Sequence, residues 1–306
     1  MFQIITMQIL KMLLILLLGY FCYRKKLVDQ HGNQILANLL LLVVNPALAV
    51  ISMQIEYRPE LVSGLLLSYL LAILTHLVMI FLSTVIIRQK NNEEYSIERF
   101  AAMYSNCGFV GIPLVQSILG GEGVLYLTAY MTVFNIISWT HGVGLMTGNL
   151  SLKGLKKGLT SPMVIASLVG LALFFLRIRL PEVLTDTLSY VSGMNTPLAM
   201  LIAGISVAQT DIPAMLKNRK VYFVSAFKLL FMPAVILIAL IPLPVSLTVK
   251  YTILVAAACP AAASGTAFAL RFGKNYKYYS ELYSFTTVCS LATIPLFVYA
   301  AEFFLS

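Results

Sequence analysis

Residues 104–113 read Tyr104-Ser105-Asn106-Cys107-Gly108-Phe109-Val110-Gly111-Ile112-Pro113 inside one apolar segment, and residues 259–266 read Cys259-Pro260-Ala261-Ala262-Ala263-Ser264-Gly265-Thr266 inside another. Pro113 and Pro260 lie 147 positions apart in a chain of 306, close to half its length. A proline within a helix removes one backbone donor and strips the partner from the carbonyl four residues earlier, here Phe109 and Ala256. Hydrocarbon offers no water to such a carbonyl, so irregular backbone at that depth survives only inside protein or beside a wet cavity. The first stretch is expected to unwind near Gly108 to Pro113 and the second near Pro260 to Gly265. Matched interruptions in the two halves of a membrane chain point to a transporter's binding site.

Composition supports that frame. The chain is 59% hydrophobic and 11% charged, against about 25% charged in soluble domains, and its mean hydropathy is +0.89. This is the composition of an integral membrane protein. The first segment, Phe2 to Tyr23, is too long for a signal-peptide core and runs into Arg24-Lys25-Lys26 without a small-residue cleavage site, so it is expected to remain as a span. The net charge of +9 comes from short clusters between apolar stretches, which argues against nucleic acid. Cys22, Cys107, Cys259 and Cys289 lack zinc-site spacing and read as buried thiols, so no metal or cofactor is expected.

Reading about 20 apolar residues per crossing, ten spans are expected. They fall near 2–23, 34–54, 61–87, 100–119, 122–147, 162–177, 186–208, 219–243, 247–271 and 278–304. The loops after odd-numbered spans hold fifteen Lys and Arg, among them Arg88, Lys90 and Arg99, whereas those after even-numbered spans hold four, Arg58, Arg177, Arg179 and Lys250. Basic residues concentrate in cytoplasmic loops, which places both termini outside the cytoplasm. The remaining polar loops, Arg88 to Arg99 and Asn149 to Ser161, are too short for a soluble domain. Five spans per half is an odd number, so a repeat of 1–148 by 149–306 must be inverted. Asn45-Pro46-Ala47-Leu48-Ala49 and Asn195-Thr196-Pro197-Leu198-Ala199 provide a second proline pair, 151 residues apart.

If the breaks in spans 4 and 9 cross, the half-helices that follow aim free N–H groups and partial positive charge at the crossing. An anion is the expected guest. Further donors are Asn106, Ser264 and Thr266, together with Asn135, Ser138 and His141 on span 5, while Gly265 permits close backbone approach. The plainer reading is that the prolines only kink their helices and the small residues allow tight packing. Asn45, Asn195 and Thr196 in spans 2 and 7 either cap freed backbone groups or face the substrate. Lys228 either reaches a cavity or snorkels to the cytoplasmic surface. His76, in span 3, is either a packed histidine or part of a proton relay.

The sequence resembles the auxin efflux carrier family, which includes bacterial members described as malonate or malate permeases. The resemblance rests on Asn106 through Gly111-Ile112-Pro113-Leu114, on Thr196-Pro197-Leu198-Ala199, on the break at Pro260, and on ten spans with both ends outside. It implies an all-α membrane fold like that of bile-acid symporters and sodium-proton antiporters. Spans 1, 2, 6 and 7 would form a scaffold, commonly dimeric, and spans 3–5 and 8–10 a core that moves like an elevator. The positions matching the family pattern are Asn106, Gly108, Gly111, Pro113 and Pro260. The long central loop of plant members is absent. Span 3 also lacks the acidic residue expected of a proton- or sodium-coupled member, which leaves coupling open.

Expelling an anion from an inside-negative cell is downhill by about 2.3 kcal/mol per charge per 100 mV, whereas uptake needs a cation partner. Three rival classes remain for comparison. A cation or proton antiporter wants mid-span carboxylates, and none of the twelve Asp and Glu residues falls near a span centre. An intramembrane enzyme needs a base oriented by a third group, and neither His76 nor His141 has a carboxylate at helical spacing. A channel or sensor would show no trans-stimulation. The expectation, with the substrate class taken from the resemblance, is a non-enzymatic carrier in the plasma membrane for small organic anions, mono- or dicarboxylates or auxin-like acids.

Overall fold

The computed structural model describes residues 2–88, 94–149 and 152–305. Lys90 and Glu93 lie outside the described residues. Among the described residues thirteen helices follow one another: α1 (Phe2–Arg24), α2 (Gln30–Ser52), α3 (Pro59–Ile86), α4 (Tyr95–Met103), α5 (Cys107–Thr147), α6 (Leu152–Leu159), α7 (Pro162–Phe175), α8 (Glu182–Gln209), α9 (Ile212–Lys217), α10 (Arg219–Leu240), α11 (Leu247–Ala258), α12 (Ser264–Arg271) and α13 (Tyr276–Phe304). Among the described residues there is no sheet, only one antiparallel bridge between Ser105 and Ala261.

Seven helices among the described residues, α1, α2, α3, α5, α8, α10 and α13, are long and apolar enough to cross a membrane. The pair α6 and α7, bent by 49°, makes an eighth if it counts as one crossing. Helix α5 has 41 residues, which at about 1.5 Å each is roughly twice a hydrocarbon core of about 30 Å. It is broken where Gly120 takes φ 65 and ψ −154, a conformation that only glycine adopts readily. Leu14, Leu66 and Phe81 are all at least 60% exposed, as faces turned to lipid require.

One expected loop is helical. Leu152, Leu155 and Leu159 of α6 recur at helical spacing on one side, with Lys153, Lys156 and Lys157 on the other. The polar composition of 149–161 hid this period.

Prolines shape the helices through a shared device. Single π-helical turns occupy Leu40–Val44, Cys107–Gly111 and Phe227–Phe231, ending two residues before Pro46, Pro113 and Pro233 respectively. In each, the residue before the proline donates five positions back: Asn45 to Leu40, Ile112 to Cys107 and Met232 to Phe227. A proline ring collides with the carbonyl of a regular preceding turn. The widened turn relieves that collision without ending the helix, as π-bulges do elsewhere.

Two close features tie the halves together. Helix α1 lies against α8 with Gly19 over Leu201 and Gly204 over Leu16. Helices α1 and α7 also end alike. Lys26 (φ 59) and Arg177 (φ 55) are the only non-glycine residues with positive φ among those described, 151 positions apart. Each sits in a six-to-one helix termination, with Leu27 N–H donating to Cys22 O and Ile178 N–H to Leu173 O, both at 2.9 Å.

Candidate functional site

The two sequence interruptions meet. Helix α4 stops at Met103 and the chain is extended at Tyr104 (φ −93, ψ 119) before α5 begins at Cys107. Helix α11 stops at Ala258, Cys259 is extended (φ −59, ψ 150), and α12 begins at Ser264. Asn106 N–H donates to Pro260 O at 2.8 Å and Ala262 N–H donates to Tyr104 O at 2.9 Å. The backbone groups that the breaks set free thus satisfy one another, the condition for irregular chain away from water. Helix α13 braces the pairing: Thr286 Oγ1 accepts from Ala261 N–H at 3.2 Å, and Tyr279 OH donates to Ala262 O at 2.7 Å.

The position of the first break corrects the expectation. Gly108 to Pro113 is not unwound; it is helical throughout, and the break lies earlier, at Tyr104 to Asn106. The wide turn ahead of Pro113 accommodates the ring, so the helix need not open there. The glycines serve contact. A Cβ on Gly111 would sit 3.3 Å from Cys259 Sγ, and one on Gly108 would sit 3.3 Å from both Asn45 Nδ2 and Met131 Cε. The second break spans Cys259 to Ala263, one residue ahead of the expected start, and Ser264 and Gly265 already belong to α12.

A cavity of about 500 Å³ opens beside the crossing. Of the expected site residues, Asn45, Asn106, Gly108, Asn135 and Ser264 line it, as does Ser138. Asn106 Nδ2 and Ser264 Oγ are buried and make no well-formed hydrogen bond within the protein, Tyr283 being a side chain that approaches Asn106. Helices α5 and α12 begin here without a side-chain cap, and of the first N–H groups of α12 that of Gly265 donates to Ala262 O at 3.1 Å. Lys157 and Arg271 line the same space, and no Asp or Glu is among its described lining residues.

The other expected residues lie around the cavity, not on it. Pro260 is in the bridge, Gly111 is behind it, and Pro113 is in the second position of the regular helix after the wide turn. Gly265 faces the Tyr279 ring. His141 hydrogen-bonds Tyr104 OH through Nδ1 at 2.9 Å. Asn195 Nδ2 donates to Asn45 Oδ1 at 2.7 Å and to Gly108 O at 3.3 Å, and Thr196 is half-buried beside it. Lys228 is fully buried on the wide turn of α10, and its ammonium donates to Ser105 Oγ and, at 3.4 Å, to Ala257 O. His76 is also buried, with Nδ1 against Ala72 O at 2.8 Å and its ring 4.8 Å from Tyr130.

Ser105, Lys157 and Arg271 were not among the expected site residues. The lysine and arginine were visible as loop charges, and nothing local separates a loop charge from one at a cavity. Replacing Asn195 with alanine is expected to strand the buried Asn45 Oδ1 and lower stability by about 1–3 kcal/mol. A thermal melt of the purified variant measures it, and an unchanged midpoint would remove Asn195 from the framework that positions Asn45.

Comparison with known proteins points to membrane transport. A family model described as "Membrane transport protein" matches residues 4–151 and 145–298. A protein of Methanothermobacter thermautotrophicus described as an uncharacterized transporter is 26% identical over 210 residues, covering 66% of this chain and 68% of the relative.

Proposed function

The chain belongs to the membrane transport protein family, and on that premise we propose that it is a secondary carrier for small organic anions. One observation carries the reading: two interrupted helices pair beside a cavity whose buried donors, Asn106 Nδ2 and Ser264 Oγ, make no well-formed hydrogen bond within the protein. Two helix N-termini face the same crossing, and a carboxylate complements that set. Lys157 and Arg271 add positive charge to the cavity wall, and no described lining residue opposes it.

Ten crossings follow if α5 is counted as two at Gly120 and each broken pair is taken whole. In that arrangement α4 continues through its break into the first part of α5, and α11 continues through its break into α12. The matched ends at Lys26 and Arg177, the Asn45–Asn195 pair and the two breaks support an inverted repeat. The close α1–α8 contact supports a scaffold against which the crossing moves by elevator-type alternating access. The plasma membrane, with both termini outside the cytoplasm, is the expected setting because the basic loops then face inward.

The test is radiolabelled carboxylate flux in proteoliposomes across malonate, malate, succinate, lactate and indole acids. Asn106→Ala is expected to reduce flux of the preferred acid about tenfold or more, the equivalent of one good hydrogen bond to a charged group. Flux that is unchanged in this variant removes Asn106 from the site. Trans-stimulation by internal substrate is expected of a carrier, and its absence would favour a pore.

A further inference from the structure

Lys228 is 0% exposed. Its ammonium hydrogen-bonds to two oxygens among the described residues, Ser105 Oγ in the first break and Ala257 O at the end of α11. Its ionisable neighbours include Cys107, Cys259 and His76, and no carboxylate is recorded as an ion-pair partner among the described residues. A buried charge normally has a partner of opposite sign. Ser105 is the link, because it both accepts from Lys228 and lines the cavity.

An anion seated on Asn106 and Ser264 would therefore lie across one strand of backbone from the ammonium. Resting on the proposed anion-carrier function, we propose that Lys228 is a built-in counter-cation for the bound anion, taking the place of a co-transported metal ion at the crossing. The ammonium already occupies a hydroxyl and a carbonyl oxygen, the ligand type that hard cations such as sodium use. It is bonded to both broken segments, so it travels with them. Charge on the anion is balanced by the protein itself, and binding needs no cation from solution. Lys228 acts through the Ser105 strand and is a positioning residue.

The experiment is a binding titration on purified full-length protein, read as thermal shift, with malonate, succinate, lactate and indole-3-acetate as probes. Each is measured in sodium chloride and in choline chloride at equal ionic strength. Wild type is expected to bind its preferred acid equally in both salts. Lys228→Gln is expected to weaken that binding about tenfold or more in choline, with part of the loss recovered in sodium, which can now reach the vacated oxygens. Lys228→Arg keeps the charge and is expected to stay independent of sodium. If Lys228→Gln fails to fold, the wild-type and arginine measurements still decide. Binding by wild type that requires sodium overturns the counter-cation and leaves the anion carrier standing. Failure of every acid in both salts overturns the anion reading, and the counter-cation with it.

Discussion

Replacing Gly204 with leucine is expected to leave no monodisperse protein after detergent extraction. A Cβ at Gly204 would lie 1.9 Å from Leu16 O, and one at Gly19 would lie 2.3 Å from Leu201 O. Both obstacles are backbone atoms, so no side chain can rotate away. Ordinary contact needs about 3.5 Å, and even alanine would push α1 and α8 apart by about 1.5 Å. Separation over that length loses dispersion along the whole crossing, and lipid tails are as apolar as the helices they would replace. The cost is expected to exceed about 3 kcal/mol, a large share of an ordinary stability of 5–15 kcal/mol. Gly121→Ala is the control, because nothing lies within 4 Å of a Cβ there. A leucine variant that elutes like wild type would show that the two helices do not approach so closely.

Gly265→Ala is expected to abolish carboxylate flux in a protein that still inserts and purifies. The new Cβ would lie 1.9 Å from Tyr279 Cζ and 2.2 Å from its hydroxyl. Tyr279 is fully buried and holds Ala262 O at 2.7 Å, one residue from the bridge between the breaks. Driving the ring back breaks that bond and tilts the first turn of α12, where Ser264 lines the cavity. Overpacking of this kind costs about 1–3 kcal/mol or more. The obstacle here is a side chain, so a second substitution can remove it. Tyr279→Ala combined with Gly265→Ala is expected to recover part of the flux, a non-additivity that contacting residues show and distant ones do not. Two effects that simply multiply would mean that the glycine and the tyrosine act separately.

The residues themselves disclose why some of this was legible in the sequence and some was not. Apolar length alone located helices such as α3, expected at 61–87 and found at Pro59–Ile86. Pro113 and Pro260 marked the two regions that meet, because a missing N–H and an obstructed carbonyl are local facts. The placement of the first break was not local. It is set by Asn106 reaching Pro260 and Ala262 reaching Tyr104, pairings across more than 150 positions. A proline can also be met by widening one turn, and Pro46, Pro113 and Pro233 are all met that way. Lys228 announced itself as a charge inside an apolar run, yet its partner Ser105 is 123 residues away. Gly19 and Gly204 look like ordinary glycines until the facing helix is known.

The most direct measurement is an experimental structure with a bromine-labelled analogue of whichever carboxylate the protein transports, read from the bromine's anomalous scattering. A peak is expected in the cavity bordered by Asn45, Asn106 and Ser264, beside the Ser105–Ala261 bridge. A peak elsewhere, or none at concentrations that saturate transport, would contradict an anion site at the crossing of the two broken helices.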